Sequence, residues 1–161
     1  MAAIDYFLKI DGIAGESRDL KHKGEIELES FSWGAVEAAA QAPAGGGGGT
    51  GKVQIEDLHV TKKLDKASPL LFLACATGRH IKSAVLTARR AVKEQQEFLV
   101  YKLTDVLVSS YRVFGGTDAE PTDQLAFNFA QISVEYRPQR ADGKLDPAVK
   151  AGWDVKQNKT I

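Results

Sequence analysis

The sequence has no cysteine pair, no surplus of either charge and no long apolar run. Cys75 is the only cysteine in 161 residues, so an intramolecular disulfide is impossible and the chain must hold itself together by packing. Set among apolar neighbours, Cys75 reads as a small buried hydrophobe. Lysine plus arginine and aspartate plus glutamate both number 21, so the formal net charge is zero and no overall field draws the chain to nucleic acid or anionic lipid. Near neutrality is a hazard for a monomer and useful to an assembling subunit, because little charge opposes self-association. No apolar stretch approaches the roughly 18 residues that span a bilayer. The opening, Met1-Ala2-Ala3-Ile4-Asp5-Tyr6-Phe7, lacks a basic region followed by an apolar stretch and a small-residue cleavage site. The expectation is a chain folded in the cytosol that, if exported, leaves without a cleaved signal peptide.

Catalytic and metal-binding patterns are equally scarce. His22, His59 and His80 lie far apart, none with a His or Cys partner at metal-ligand spacing, and they read as surface or edge-strand residues. There is no Gly-x-Ser-x-Gly elbow, no Ser-x-x-Lys and no His-Glu-x-x-His. Gly46, Gly51 and Lys52 fit most of a phosphate-binding loop. Val53, however, stands where a magnesium-binding Ser or Thr belongs, and a strand pattern follows where the phosphate cradle needs a helix N-terminus. Asp65, beside Lys62, Lys63 and Lys66, reads as a charge at the start of a helix rather than a general base. Arg89 and Arg90 with Lys93 form a basic cluster too short for a nucleic-acid stripe and balanced by Glu94 and Glu97. Asn158-Lys159-Thr160 matches the glycosylation triplet, which means little without a secretory signal. No catalytic residue, metal or cofactor is expected.

What is present is one short helix among many strands. In Ser68-Pro69 through Thr77-Gly78, Ser68 can cap the first free amides, Pro69 suits the first helical position, and Gly78 suits the left-handed residue after the last turn. Tyr6–Ile10, Glu25–Trp33, Ile81–Arg90, Glu97–Tyr111 and Leu125–Arg137 read as strands, with a last short one around Trp153-Asp154-Val155. Ala91–Gln96 joins two of them, and Gly115 to Asp123 reads as another loop. Three segments change apolar parity midway: Ile26 and Leu28 then Phe31 and Trp33; Val53 and Ile55 then Leu58 and Val60; Phe127 and Phe129 then Ile132, Val134 and Tyr136. Side chains alternate with period two, so keeping both halves inside requires a bulge in each segment, as in the curved strands of a closing barrel. From about residue 35 to 51 the composition turns to Ala, Gln, Pro and the glycines Gly45, Gly46, Gly47, Gly48 and Gly49, which cannot build a core and read as a mobile loop. Residues 1–161 make one domain, large enough to bury roughly 70% of the surface its unfolded chain exposes. Phe31 and Trp33 belong to the core, so Ser30 and Ser32 must point the other way, toward whatever the outer face meets.

The motifs carry a family resemblance along almost the whole chain. Tyr6-Phe7-Leu8-Lys9-Ile10, Gly15-Glu16-Ser17, His22-Lys23 and Ser30-Phe31-Ser32-Trp33-Gly34 are followed by the glycine loop and by Leu58-His59-Val60-Thr61-Lys62 leading into Asp65-Lys66-Ala67-Ser68-Pro69. Leu73-Ala74-Cys75-Ala76-Thr77-Gly78, Asn128-Phe129-Ala130-Gln131, Glu135-Tyr136-Arg137-Pro138-Gln139 and Ala151-Gly152-Trp153-Asp154 complete the order. This series resembles the Hcp family, the tube proteins of bacterial type VI secretion; the family commonly shows Trp in place of Phe31. The resemblance implies a mainly β fold, a compact β-barrel of two antiparallel sheets with one short flanking helix, assembled into hexameric rings. It also implies stacking of rings into a tube, contact with the sheath and spike proteins of the machine, and small effector proteins carried in the lumen. Under this reading Ser30 and Ser32 face the lumen and effectors, while Gly45 to Gly49 reach the next ring. The resemblance runs to Ile161 with no appended toxin domain, so the plain tube subunit is expected, without nucleic-acid partners or membrane insertion of its own. Two other readings stay open at this point: a phage tail-tube subunit, and a cytosolic β-barrel binding module.

Overall fold

The structure, a computed structural model, describes residues 3–37, 52–92 and 94–161. The glycine run Gly45–Gly49 lies outside them. Eleven strands and one helix are described, and nine of the strands join one antiparallel sheet. In chain order they are β1 (Ile4–Ile10), β2 (Ile26–Leu28), β3 (Ser30–Ser32), β4 (Ala35–Val36), β5 (Gln54–Ile55) and β6 (Leu58–Lys63). The helix α1 (Ser68–Thr77) follows, then β7 (His80–Arg90), β8 (Gln96–Gly116), β9 (Ala119–Tyr136), β10 (Val149–Asp154) and β11 (Lys159–Thr160). Pairing runs β1–β7–β8–β9, where β9 binds β6 through its first half and β10 through its last. β6 pairs with β3 and β1 with β2, so the segment Ile26–Ser32 ties the two ends of this curled sheet together. β4 and β5 form a separate two-stranded ladder, which places Ala35 and Val36 in a strand rather than in the expected loop.

The three parity changes resolve into two devices. At Glu29 the chain leaves β1 for a new neighbour: Leu28 pairs with Tyr6, Ser30 pairs with Thr61, and the Glu29 amide donates to the Thr61 carbonyl at 2.8 Å. The same partner exchange separates β5 from β6. The third change is shared by three strands. Ile81, Val106 and Phe129 are buried, as are Ala84, Leu103 and Ile132, although each pair within a strand is three residues apart. The register is unchanged across the break in both ladders, so no strand carries an extra residue there, and the expected bulge in β9 is replaced by a crease through Lys82, Asp105 and Ala130. Asp105, at the middle of the crease, has a left-handed backbone with φ 54°. Its carboxylate accepts from His80 Nδ1 at 2.8 Å and Lys156 Nζ at 3.2 Å, which holds it below the usual carboxylate range. The register shifts along β8 lie elsewhere, at Phe98 against β7, and between Val108 and Ser110 and between Phe114 and Gly116 against β9.

The helix has the expected limits and a different start. Gly78 is left-handed at φ 63°, and the amides of Gly78 and Arg79 return to Cys75 and Ala74. At the other end Ala67 occupies the cap position, and Ser68 makes no capping bond. Asp65 does that work instead: its Oδ1 accepts from the Ala67 amide at 3.0 Å, while Ser68 is drawn into the interior. Cys75 is half-buried against the core rather than buried. The expected loop at Gly115–Asp123 is also structured, because β8 and β9 stay paired out to Gly116 and Ala119 and enclose only a two-residue turn, Thr117-Asp118.

Arg89 anchors the β1 side. It is 3% exposed and reaches Asp5 at 3.1 Å and Asp19 at 2.9 Å, with its guanidinium over the Phe7 ring. The basic pair read at Arg89-Arg90 is therefore consumed inside the protein, since Arg90 covers Phe98. The Arg89 hydrogen bond, aided by the amides of Lys21 and His22, lowers the Asp19 carboxyl from 3.8 to about 2. A carboxylate lowered on folding adds stability above its unfolded value, and that stability disappears as pH falls through its folded value. Denaturation of wild type and Asp19→Asn is expected to differ near neutral pH and to converge on acidification to about pH 2. A constant difference over that range would assign the effect to packing rather than charge.

Candidate functional site

Ser30 and Ser32 flank Phe31 on β3, and alternation turns both hydroxyls outward while Phe31 packs against Tyr6 and Tyr101 at centroid distances of 5.3 and 5.7 Å. Ser30 Oγ lies 2.6 Å from Thr61 Oγ1 across the ladder. Both serines line an open cavity of about 360 Å³ whose other polar lining is His59 and Thr61 from β6, Ser110 and Arg112 from β8, and Gln124 from β9. The outward face of four neighbouring strands thus collects hydroxyl, imidazole, amide and guanidinium groups with no carboxylate among the lining residues. Ser30 and Ser32 were legible from parity. His59, Arg112 and Gln124 became their neighbours only through pairings distant in sequence.

Two apolar surfaces lie on the same chain. On the helix, Leu71 and Ala74 face the core, whereas Leu70, Phe72 and Leu73 are 47, 57 and 55% exposed. Phe72 leans toward Tyr111, and the β8–β9 hairpin adds exposed Val113 and Phe114. The helix is apolar on both sides, which an isolated surface helix does not need. Elsewhere a groove of about 450 Å³ is lined by Trp33, Val53, Ile55, Ile132, Val134 and Trp153. The Trp153 indole N–H is buried and makes no hydrogen bond.

The other residues singled out in the sequence hold the subunit together. Lys62 is fully buried, and its ammonium donates to Asp65 Oδ1 at 2.8 Å, Asp123 Oδ2 at 2.9 Å and Ser68 Oγ at 2.7 Å. Ser68 Oγ and Tyr111 OH both donate to Asp123 Oδ2. Burial, then the Asp123 charge, pushes the Tyr111 phenol above its ordinary value, so it stays a donor. His22 is buried rather than at the surface, its ring stacked on Phe7 and its nitrogens 2.9 Å from Glu25 and 2.6 Å from Glu97. Lys52 leads into strand β5, not into the helix that a phosphate loop requires. Among the described residues, no three His, Cys, Asp or Glu side chains gather as metal ligands, and no helix is long and apolar enough to cross a membrane.

Comparison with known proteins agrees with this geometry. The family model described as "Type VI secretion system effector, Hcp" matches residues 7–136. Protein hcp1 of Pseudomonas aeruginosa is 45% identical over 159 residues, which cover 97% of this chain and 98% of that protein. Among solved structures, Hcp1 from Salmonella typhimurium is 38% identical with a TM-score of 0.82, covering all of both chains. A structure titled as a type six secretion system protein is 34% identical with a TM-score of 0.91, over 99% of this chain and all of that one. The chain belongs to the Hcp family, the structural tube proteins of type VI secretion.

Proposed function

We propose that six copies of this chain close into a ring, that rings stack into the inner tube of the secretion machine, and that effectors travel in the lumen. The observation that carries the reading is the pair of different apolar surfaces on one subunit. A ring is a heterologous assembly, in which one patch meets a different patch on the next copy and rotation closes the circle. The apolar helix with the hairpin supplies one such patch and the groove around Trp153 the other. The zero net charge adds no long-range repulsion between copies.

Within that ring, residues 1–161 act as one domain and the polar face holding Ser30 and Ser32 lines the lumen. The glycines Gly45 to Gly49 are assigned to contacts between stacked rings on composition and resemblance alone. Sheath and spike proteins meet the assembled tube, which leaves the bacterial cytoplasm through the contractile system. The chain acts by assembly and carriage rather than catalysis. Electron microscopy of the purified protein is expected to show six-fold rings with a central hole. Shortening the glycine run from five to two is expected to keep the rings and shorten their stacks. A monomer at micromolar concentration, or a globule without a hole, would exclude the tube reading in favour of a binding module.

A further inference from the structure

We propose that the cavity over β3, β6, β8 and β9 docks acidic side chains of a carried protein, and that Arg112 selects them. The proposal rests on the lumen reading of this face and adds the chemistry of its ligand. Among the described residues Arg112 makes no ion pair or hydrogen bond, and its guanidinium only approaches the Phe114 ring, at 5.5 Å. Around it stand Ser32, Ser110, His59 and Gln124, whose side chains likewise make no hydrogen bond among the described residues, together with the Ser30–Thr61 hydroxyl pair. Of the acids nearest this lining in sequence, Glu29 lines a different cavity, beside Lys63 and Glu120, and Asp57 and Asp123 are engaged elsewhere. Asp57 accepts from Ser109 at 2.6 Å and Asn128 at 3.0 Å, and Asp123 is fully buried in the Lys62 cluster.

The cavity therefore presents one unpaired guanidinium and a fan of hydroxyl, amide and imidazole groups, with no carboxylate of its own lining to pair with it. A guanidinium is suited to a carboxylate because its planar fork can make two parallel hydrogen bonds to it. At about 360 Å³ the open cavity fits a few side chains and not a folded partner, so the ligand is a short acidic stretch on the surface of the cargo. A neighbouring copy of this chain could supply a carboxylate as well, and the test must separate the two sources.

The test uses the purified assembled protein and two fluorescein-labelled probes, a hexapeptide of glutamate and serine and its lysine counterpart, read by anisotropy at low and moderate salt. The acidic peptide is expected to bind, more weakly as salt rises, and the lysine peptide not to bind. Arg112→Glu is expected to weaken the acidic peptide by about tenfold or more and to gain binding of the lysine peptide. Arg112→Gln, which keeps length and polarity, is expected to lose acidic-peptide binding without that reversal. Sedimentation of each variant should show the wild-type assembly. Intact rings that treat both peptides alike, or an Arg112→Glu protein that binds the acidic peptide normally, would overturn the proposal and leave the tube reading standing. Rings that fall apart with Arg112→Glu would also overturn it, by placing Arg112 against a neighbouring subunit. A wild type that forms no rings would instead count against the tube reading.

Discussion

Replacing Lys62 with methionine is expected to destabilise the subunit by about 3–5 kcal/mol, because it leaves Asp123 buried beside Asp65 with no cation between them. The side chain of Asp123 is 0% and that of Asp65 13% exposed, so water cannot replace the lost ammonium. Methionine keeps most of the volume and the stem, which separates the loss of charge from the loss of packing. The cost falls on four elements together, since the cluster ties β6 to the first turn of α1, to β9 through Asp123 and to β8 through Tyr111. Asp123→Asn added to Lys62→Met removes the uncompensated charge, and the double variant is expected to be more stable than Lys62→Met alone by about 1 kcal/mol or more. Urea denaturation at fixed protomer concentration measures both, because assembly stabilises the folded chain by mass action. A loss below about 1 kcal/mol for Lys62→Met would show that the cluster adds little net stability beyond what an apolar residue gives.

That cluster also marks a limit in reading the sequence. Leu58, Val60 and Lys62 share one parity, as do Asp123, Leu125, Phe127 and Phe129, and the apolar members of both sets are buried. Alternation alone thus placed Lys62 and Asp123 on the core side, and the register sets them directly opposite each other. The signal was present and was passed over because lysine in a charged run reads as solvated, while Asp123 fell in a stretch taken for a loop. Helix limits were legible because Pro69 and Gly78 fix backbone conformation locally. The Ser68 cap was misread because the helix starts one residue earlier: Ala67 holds the cap position, and the Ser68 hydroxyl turns inward to Lys62 and Asp123. Parity also exposed Ser30 and Ser32, but the company they keep depends on β6, β8 and β9. No local rule sets those pairings, and without them neither the cavity nor the role of Arg112 can be seen. The crease at Asp105 was legible as a parity change in β9 and illegible in form, because three strands turn together and none gains a residue relative to its neighbours.

Changing Phe72 and Leu73 together to glutamate is expected to convert rings to folded monomers. Both side chains are more than half exposed in the isolated subunit, so their removal leaves the core formed by Leu71 and Ala74 intact, and circular dichroism should be unchanged. Seated against an apolar groove, each contributes on the order of 2 kcal/mol of burial, and a ring repeats that contact at every subunit boundary. Glutamate reverses the sign, because its charge must either stay hydrated and hold the boundary open or be buried without a cation. The groove side makes a matched test. Val134→Glu lies among the apolar lining of the other patch and is expected to give the same monomers, although neither change touches the other patch. Mixing the two variants tests closure. A dimer can form through the one boundary that retains both wild-type patches, and its two outer patches are both charged, so growth stops there. Sedimentation velocity of the mixture should therefore show dimers in place of either monomers or rings. Persistent rings in the Phe72 and Leu73 variant would place the helix on the outside of the tube, and the apolar hairpin around Val113 and Phe114 would then be the surface that enters the groove.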